Sequence, residues 1–336
     1  MTIRVGIVGV GVMGADHART LATQVPGAHL HAVQDADAAR AAAVAQETGA
    51  GKSLTDPLAL IADPAIDAVL IASPDATHRD FTRACLAAGK PVLCEKPLAP
   101  TARECLEIVA AEAALGRRLV QVGYMRRFDP AYVELKAKLG SGRLGRALMF
   151  HCQHRNVAAP AWFTADMAIG NSAVHEFDIA RWVLDADMIS VQAFKPRGPA
   201  PGAAVGPVFI LLESALGQLV DIEVFNNAAY GYDVRGELVC ETGTVALAPP
   251  VRTVTNATLV HGADYPADWR PHFADAYRLQ LQAWIKSIET GHPVGASAWD
   301  GYVAAAIAEA GQESLARGQR VAIKLAPRPV LYPAAA

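Results

Sequence analysis

The sequence predicts an α/β protein in two parts. Residues 1–123 read as a doubly wound parallel sheet, and residues 124–336 as an α+β domain with a large, mostly antiparallel open sheet. Three observations predict this. The first third alternates near-continuous apolar runs with helical ones, the pattern of a parallel sheet covered on both faces. After Tyr124 the rhythm breaks, and five strand candidates crowd together between tight turns. A chain of 336 residues is also long enough for two cores.

The elements follow in order. "IRVGIVGV" is an apolar strand, and helical spacing runs from Val12 to Gln24, stopping before Pro26. "HLHAVQD" alternates to Asp35, and an Ala-rich helix then runs to Gly49, a C-terminal cap. Thr55 is placed to cap a short helix. "AIDAVLIAS" is a buried strand, a helix spans about Thr77 to Gly89, and "PVLCEKP" is a strand ended by Pro97. Thr101 with Glu104 forms a capping box, and "RRLVQVGY" closes the series. Beyond it "PAYVELKAKLG" reads as a helix, a strand surrounds Leu148, and a helix covers Ser172 to Leu184. The five strand candidates are "ISVQAFK", "VFILLES", "QLVDIEVF", "VRGELVC" and "TVALA", with hairpin turns at "SALGQ" and "ETGT". A helix containing "AYRLQLQAWIKSIETG", another capped by Ser297 with Asp300, and a strand at "RVAIKL" complete the chain. The "KPRGPAPGAAVGP" loop and the "PRPVLYPAAA" tail are the only biased segments, and the tail is expected to fray.

Composition excludes several functions. The net charge is −3 without a basic patch, which argues against nucleic acid. No apolar run is long enough to span a bilayer, and the first one lacks the basic leader of a signal peptide. Cys85, Cys94, Cys105, Cys152 and Cys240 form no CxxC or zinc spacing, which suits a reducing cytosol. His151, His154 and His272 have no metal-ligand spacing either.

"GVGVMG" follows a strand and opens a helix, and Asp35 ends the second strand about twenty residues on, the context of a dinucleotide cradle. Gly9 permits the tight turn, Gly11 lets the backbone approach a pyrophosphate, and Gly14 lets helix and strand pack. The helix start at Val12 and Met13 offers N–H groups and a positive dipole end. Asp35 would accept hydrogen bonds from ribose hydroxyls and repel a 2′-phosphate, favouring NAD; nearby Arg40 softens that preference toward NADP. Glu95 and Lys96 stand at the carboxyl end of a central strand, where open α/β sheets bind ligands. Pro97 holds Lys96 extended. Ser73 and Pro74 end the preceding strand along the dinucleotide, and Thr77 and His78 begin the next helix.

With these residues in view, the chain resembles the glucose–fructose oxidoreductase and inositol dehydrogenase (Gfo/Idh/MocA) family over nearly its whole length. The resemblance rests on GVGVMG, Asp35, SPDATH (Ser73 to His78), EKP (Glu95 to Pro97), GYMRRFD (Gly123 to Asp129), NSAVHEFDIARW (Asn171 to Trp182) and YGYD (Tyr230 to Asp233). GYMRRFD and YGYD resemble the inositol 2-dehydrogenase branch. The resemblance implies a Rossmann domain, NAD(P)-dependent oxidation of a polyol or sugar hydroxyl, and subunits that pair as dimers or tetramers through the open sheet. It also implies substrate contacts at Met125, Arg126, Asn156 and Tyr232. Many relatives carry aspartate where Asn171 stands. An amide orients a hydroxyl but does not take its proton.

Oxidising a secondary alcohol needs a base beside the hydroxyl while the cofactor accepts hydride. Lys96 is the first candidate, as proton acceptor or hydrogen-bond donor. His175 is the second, taking the proton or passing it to water. It lies off a buried stripe of Ala173, Phe177, Ala180 and Leu184. Asp178 either holds the His175 tautomer or pairs with Arg181. Arg127 and Asp129 read as structural ion-pair residues, and Trp162 and Trp269 as packing residues. Two rival readings stay open: an oxidoreductase of another sugar, aldose or keto-sugar, and a non-catalytic NAD-binding regulator.

Overall fold

The computed structural model describes residues 2–196, 205–248 and 253–333. The chain begins β1 (Ile3–Val8), α1 (Val12–Gln24), β2 (Ala28–Gln34), α2 (Ala38–Thr48), β3 (Lys52–Leu54), α3 (Pro57–Ala62) and β4 (Ala68–Ile71). It continues with α4 (His78–Ala87), β5 (Val92–Cys94), α5 (Ala102–Leu115), β6 (Val120–Val122), α6 (Pro130–Gly140) and β7 (Ala147–Arg155). Next come α7 (Ala165–Met167), α8 (Val174–Leu184), β8 (Met188–Phe194), β9 (Val208–Ser214), β10 (Leu219–Phe225), β11 (Asp233–Cys240) and β12 (Gly243–Ala246). The last are β13 (Thr255–Ala257), β14 (Val260–Gly262), α9 (Trp269–His272), α10 (Ala274–Thr290), α11 (Ala298–Arg317) and β15 (Val321–Ala322). The 3₁₀ turns Asp75–Thr77 and Met125–Phe128 and the π-helical turn Ala168–Ser172 punctuate them.

Two units form, and neither is one run of sequence. The first comprises Met1–Phe128, Asp275–Ala305 and Leu325–Ala336; the second comprises Asp129–Ala274 and Ala306–Lys324. Compactness therefore divides the chain differently from a single boundary at 123/124. The reason is α10: its Leu281, Trp284 and Ile285 join the core cluster of Ile3, Leu21, Val25 and Leu30. Burying each such side chain is worth about 1.5–3 kcal/mol.

The first unit holds a six-stranded sheet in the order β3-β2-β1-β4-β5-β6, parallel throughout. The strand order reverses between β1 and β4, which opens a crevice at their carboxyl ends. Its helices start on local caps. Asp37 accepts from Ala39 and Arg40 N–H at the start of α2, and Gly49 ends that helix at φ 73°. Thr101 caps α5 by accepting from the Glu104 N–H. The α3 cap is Asp56, not Thr55: its carboxylate accepts from Leu58 N–H, and Pro57 fills the first helical position. Strand β3 is too short to show periodicity. The tail does not fray as far as Tyr332, which is 3% exposed and donates its hydroxyl to buried Glu112. The final three residues lie outside the described residues, as do residues 197–204 of the Pro/Gly loop.

The second unit is built on a seven-stranded sheet in the order β12-β11-β7-β10-β9-β8-β15. It is mixed: β7 and β10 run parallel, and the other neighbours are antiparallel. Alternation gives each strand an inner face (Phe150, Cys152 and His154 on β7; Val220, Ile222 and Val224 on β10) and an outer, half-exposed one. Helix α8 is buried nearly all round, Val174 through Arg181, so the single stripe expected from its sequence is a correction. Trp162 is also corrected: it is 68% exposed and packs in no core. All five cysteines are free and buried. Among the described residues no helix is long and apolar enough to cross a membrane.

Candidate functional site

The glycine turn is shaped by what surrounds it. Gly9 has φ +82°, and a Cβ there would sit 2.6 Å from the Ser73 backbone. A Cβ on Gly14 would meet the Gly9 carbonyl oxygen at 1.9 Å. Gly11, in contrast, has nothing within 4 Å of such an atom. Gly11 also caps α1 with no side-chain hydrogen bond, and no acidic residue enters the first turn with Val12 and Met13. The turn is thus closed toward the protein and open on the ligand side, which fits a dinucleotide pyrophosphate at a helix N-terminus.

Asp35, at the end of β2, is fixed from both sides. Val10 N–H donates to one oxygen at 3.0 Å; Asp37 N–H (3.0 Å) and Arg40 Nη1 (3.1 Å) donate to the other. Burial works against its charge, but the two backbone donors and Arg40 outweigh it and hold the carboxyl below the ordinary aspartate range. An ionised acceptor at this point fits a ribose diol. The Arg40 guanidinium, expected from sequence to soften the preference for NAD, stands directly beside that acceptor.

Ser73 and Pro74 leave β4 in a turn closed by Thr77. The Ser73 and Thr77 hydroxyls are 2.6 Å apart, and Thr77 donates to the Pro74 carbonyl at 2.7 Å. His78 opens α4. Its Nδ1 faces the Pro97 carbonyl at 2.7 Å and its Nε2 the Ser73 carbonyl at 2.9 Å. Two carbonyls require two N–H donors, so this ring is an imidazolium. Burial pulls its pKa down, but Cys94 and the two carbonyls lift it to about 10. His78 thus ties the Ser73 turn to the strand end that carries Lys96.

Glu95 follows β5, with its carboxylate turned into the core. Oε1 meets His17 Nε2 at 2.7 Å, and Oε2 accepts the Lys96 N–H at 3.1 Å. Lys96 is half-buried, and its peptide bond to Pro97 is cis. Met125 and Arg126, both buried, occupy the 3₁₀ turn just beyond β6. The parallel sheet therefore gathers Gly9 to Gly14, Asp35, Ser73, Pro74, Thr77, His78, Glu95, Lys96, Met125 and Arg126 at one edge, the carboxyl ends of its strands. Arg127 pairs with Asp300 at 3.1 Å, and Asp129 caps α6.

In the second unit the candidates collect around His154, which the sequence reading weighed only as a metal ligand. The His154 ring lies 6.2 Å from that of His175 and 5.7 Å from that of Tyr232. Its Nδ1 is 3.2 Å from Glu176 Oε2, and its Nε2 is 3.4 Å from Asn156 Nδ2. His272 stands edge-on to Tyr232 at 5.5 Å. Asn171 lies in the π-helical turn that leads into α8. His154, Glu176 and His272 are the residues sequence reasoning missed. The available signal was β7 alternation, which sets a histidine on the apolar face with Phe150 and Cys152. Arg181 pairs with Asp187 at 2.6 Å.

Comparison with known proteins identifies what the whole chain is similar to. Residues 3–124 match the model described as "Oxidoreductase family, NAD-binding Rossmann fold", and residues 136–323 match "Oxidoreductase family, C-terminal alpha/beta domain". The chain is 52% identical over 335 residues to inositol 2-dehydrogenase 1 of Saccharopolyspora erythraea, covering 99% of each chain. It is 42% identical to the inositol 2-dehydrogenase of Pseudomonas fluorescens, covering 99% of this chain and 100% of that one. Among solved structures it is similar to the myo-inositol dehydrogenase of Lactobacillus casei, determined with NAD(H) and myo-inositol. That similarity has a TM-score of 0.94 at 31% identity and covers 99% of this chain and all of the other.

Proposed function

The chain belongs to the Gfo/Idh/MocA family of NAD-binding oxidoreductases, and from that premise we propose that it oxidises a secondary hydroxyl of a cyclic polyol, myo-inositol or a related inositol, to the ketone. NAD, when bound, supplies the hydride acceptor. The glycine turn and the start of α1 hold its pyrophosphate, Asp35 its ribose diol, and Ser73, Pro74, Thr77 and His78 the strand-end wall along it. Lys96 accepts the hydroxyl proton as the carbinol hydrogen departs, and His175 carries the proton onward. Met125, Arg126, Asn156, Asn171 and Tyr232 orient the remaining hydroxyls; with an amide at position 171, the proton path rests on the amine and the imidazole. Residues 1–123 supply the cofactor half and residues 124–336 the substrate half and the subunit interface, in a cytoplasmic homodimer or homotetramer. The five free thiols support that compartment.

The observation that supports this reading most is likeness over the full length of both chains to an inositol 2-dehydrogenase, at 52% identity. The test offers the purified protein NAD or NADP with a panel of inositol isomers and monosaccharides, following reduced-cofactor absorbance. NAD-dependent turnover of an inositol is expected, and Lys96→Ala should lower kcat by roughly 100- to 10,000-fold while NAD still binds. Turnover confined to a monosaccharide would replace the substrate. Tight NAD binding without turnover of any polyol would make the protein a regulator.

A further inference from the structure

Glu95 is a carboxylate in the wrong place for stability alone. It is 7% exposed, at the end of an apolar strand, and among the described residues its carboxylate meets the ring of His17, itself 1% exposed, at 2.7 Å. Burying such a pair costs more desolvation than a well-packed apolar pair of the same size, so its retention calls for another role. Three elements are built around it. His17 comes from α1, about one turn past Gly14 of the cradle. Tyr277 of α10 braces the His17 ring edge-on at 5.6 Å. Gly123, just beyond β6, leaves room for the carboxylate: a Cβ there would lie 2.7 Å from Glu95 Oε2. The two oxygens are divided between His17 and the backbone N–H of Lys96.

We infer that His17 and Glu95 are a positioning pair that ties the cofactor-cradling helix to the backbone of Lys96, fixing the root of the amine relative to the bound nicotinamide. The inference rests on the reading of Lys96 as the proton acceptor. The carboxylate spans the gap between the helix that would hold the pyrophosphate and the strand end that carries the base. Hydride and proton leave adjacent atoms, so their acceptors must be held in register; a misplacement of about 1 Å can cost a hundredfold in rate. Burial disfavours the Glu95 charge, but the His17 bond and charge, with Lys96 beside it, hold the carboxyl below its usual range. The Glu95 charge is also coupled to Lys96, and it favours the protonated amine. The titratable groups packed about this point are His17 on α1, Tyr277 on α10, Cys94 on β5, His78 on α4 and Lys96 itself.

Three variants test the pair, each assayed with NAD and myo-inositol. The double variant His17→Leu/Glu95→Met replaces the ion pair with apolar groups of similar bulk. It should keep its thermal midpoint, bind NAD within about threefold of wild type, and lose roughly 10- to 100-fold in kcat. With the neighbouring negative charge gone, the acid limb of its kcat/KM profile should move to lower pH. His17→Gln keeps a donor at the Nε2 position and should recover most of the rate. Lys96→Met is run alongside. A double variant with wild-type kcat and an unmoved pH profile overturns the inference while leaving the Lys96 reading intact, provided Lys96→Met is slow. Parallel loss of thermal stability, NAD binding and rate, unrelieved in His17→Gln, assigns the pair to folding and overturns it too. Wild-type turnover by Lys96→Met removes the base and the inference with it.

Discussion

Gly11 and Gly14 are three residues apart, yet a methyl group would meet opposite surroundings at each. At Gly14 it would press on the Gly9 carbonyl at 1.9 Å, inside the contact between α1 and β1. Gly14→Ala gains up to about 1 kcal/mol of helix propensity. Overpacking against backbone costs about 1–3 kcal/mol and wins, because a carbonyl cannot turn aside as a side chain can. Gly11 has a negative φ (−65°) and empty space around its missing Cβ. Gly11→Ala should therefore leave the thermal midpoint within a degree or two while weakening NAD about tenfold or more, since its methyl enters the space a pyrophosphate needs. Thermal unfolding with and without NAD, alongside a cofactor titration, separates the two. A Gly11→Ala protein that binds NAD normally would put the phosphates elsewhere.

At the scale of elements, His78 is the staple between α4, the Ser73 turn and the Lys96 strand end, and it makes their docking depend on pH. Its folded pKa is raised to about 10 from an ordinary 6.5. The stabilisation is therefore complete below about pH 6.5 and is lost as pH rises through 10, with a ceiling of a few kcal/mol. Guanidinium midpoints should fall between pH 7 and pH 10, and His78→Gln should be less stable at pH 7 and show a flatter fall. An equal slope in both proteins would assign the pH dependence to other groups. Much of this layout was legible in the sequence, because strands, caps and the glycine turn are written locally: Gly49, Thr101 with Glu104, and Ser297 with Asp300 all act where their spacing placed them. What was not legible depends on partners far along the chain. The amphipathic pattern of α10 says that one face is buried, not that it packs with β1 and α1. The pattern of α8 suggests one stripe because nothing in it reveals that the helix is enclosed on every side. From sequence His154 is weighed only for metal spacing because its neighbours, His175, Glu176 and Tyr232, arrive from α8 and from the residue before β11.

At the scale of the molecule, the proposed association of copies rests on the outer face of the seven-stranded sheet. Phe194 and Phe209 stand opposite each other across β8 and β9, 45% and 42% exposed, with rings 6.3 Å apart. Leu211, Leu219, Phe225 and Met149 extend the apolar area along β9, β10 and β7. The polar groups among them already have partners: His151 Nδ1 lies 2.5 Å from Asp221 Oδ2, and Arg155 pairs with Glu223 at 2.8 Å. A face of this composition can be covered without stranding a charge, and an apolar patch of several side chains is normally covered. The sheet edges suit pairing poorly, because β12 and β15 are only 4 and 2 residues long. Association should therefore run face to face between two copies, each residue near the two-fold axis meeting its own counterpart. Phe209→Asp would then set two like charges against each other, beside Glu223 of the neighbouring strand. Because Phe209 points outward, the variant should fold normally by circular dichroism and sediment as a smaller species than wild type. Wild type sedimenting above the monomer mass, with a folded Phe209→Asp protein of unchanged size, would mean that the subunits join through some other surface; wild type at the monomer mass would remove the association altogether.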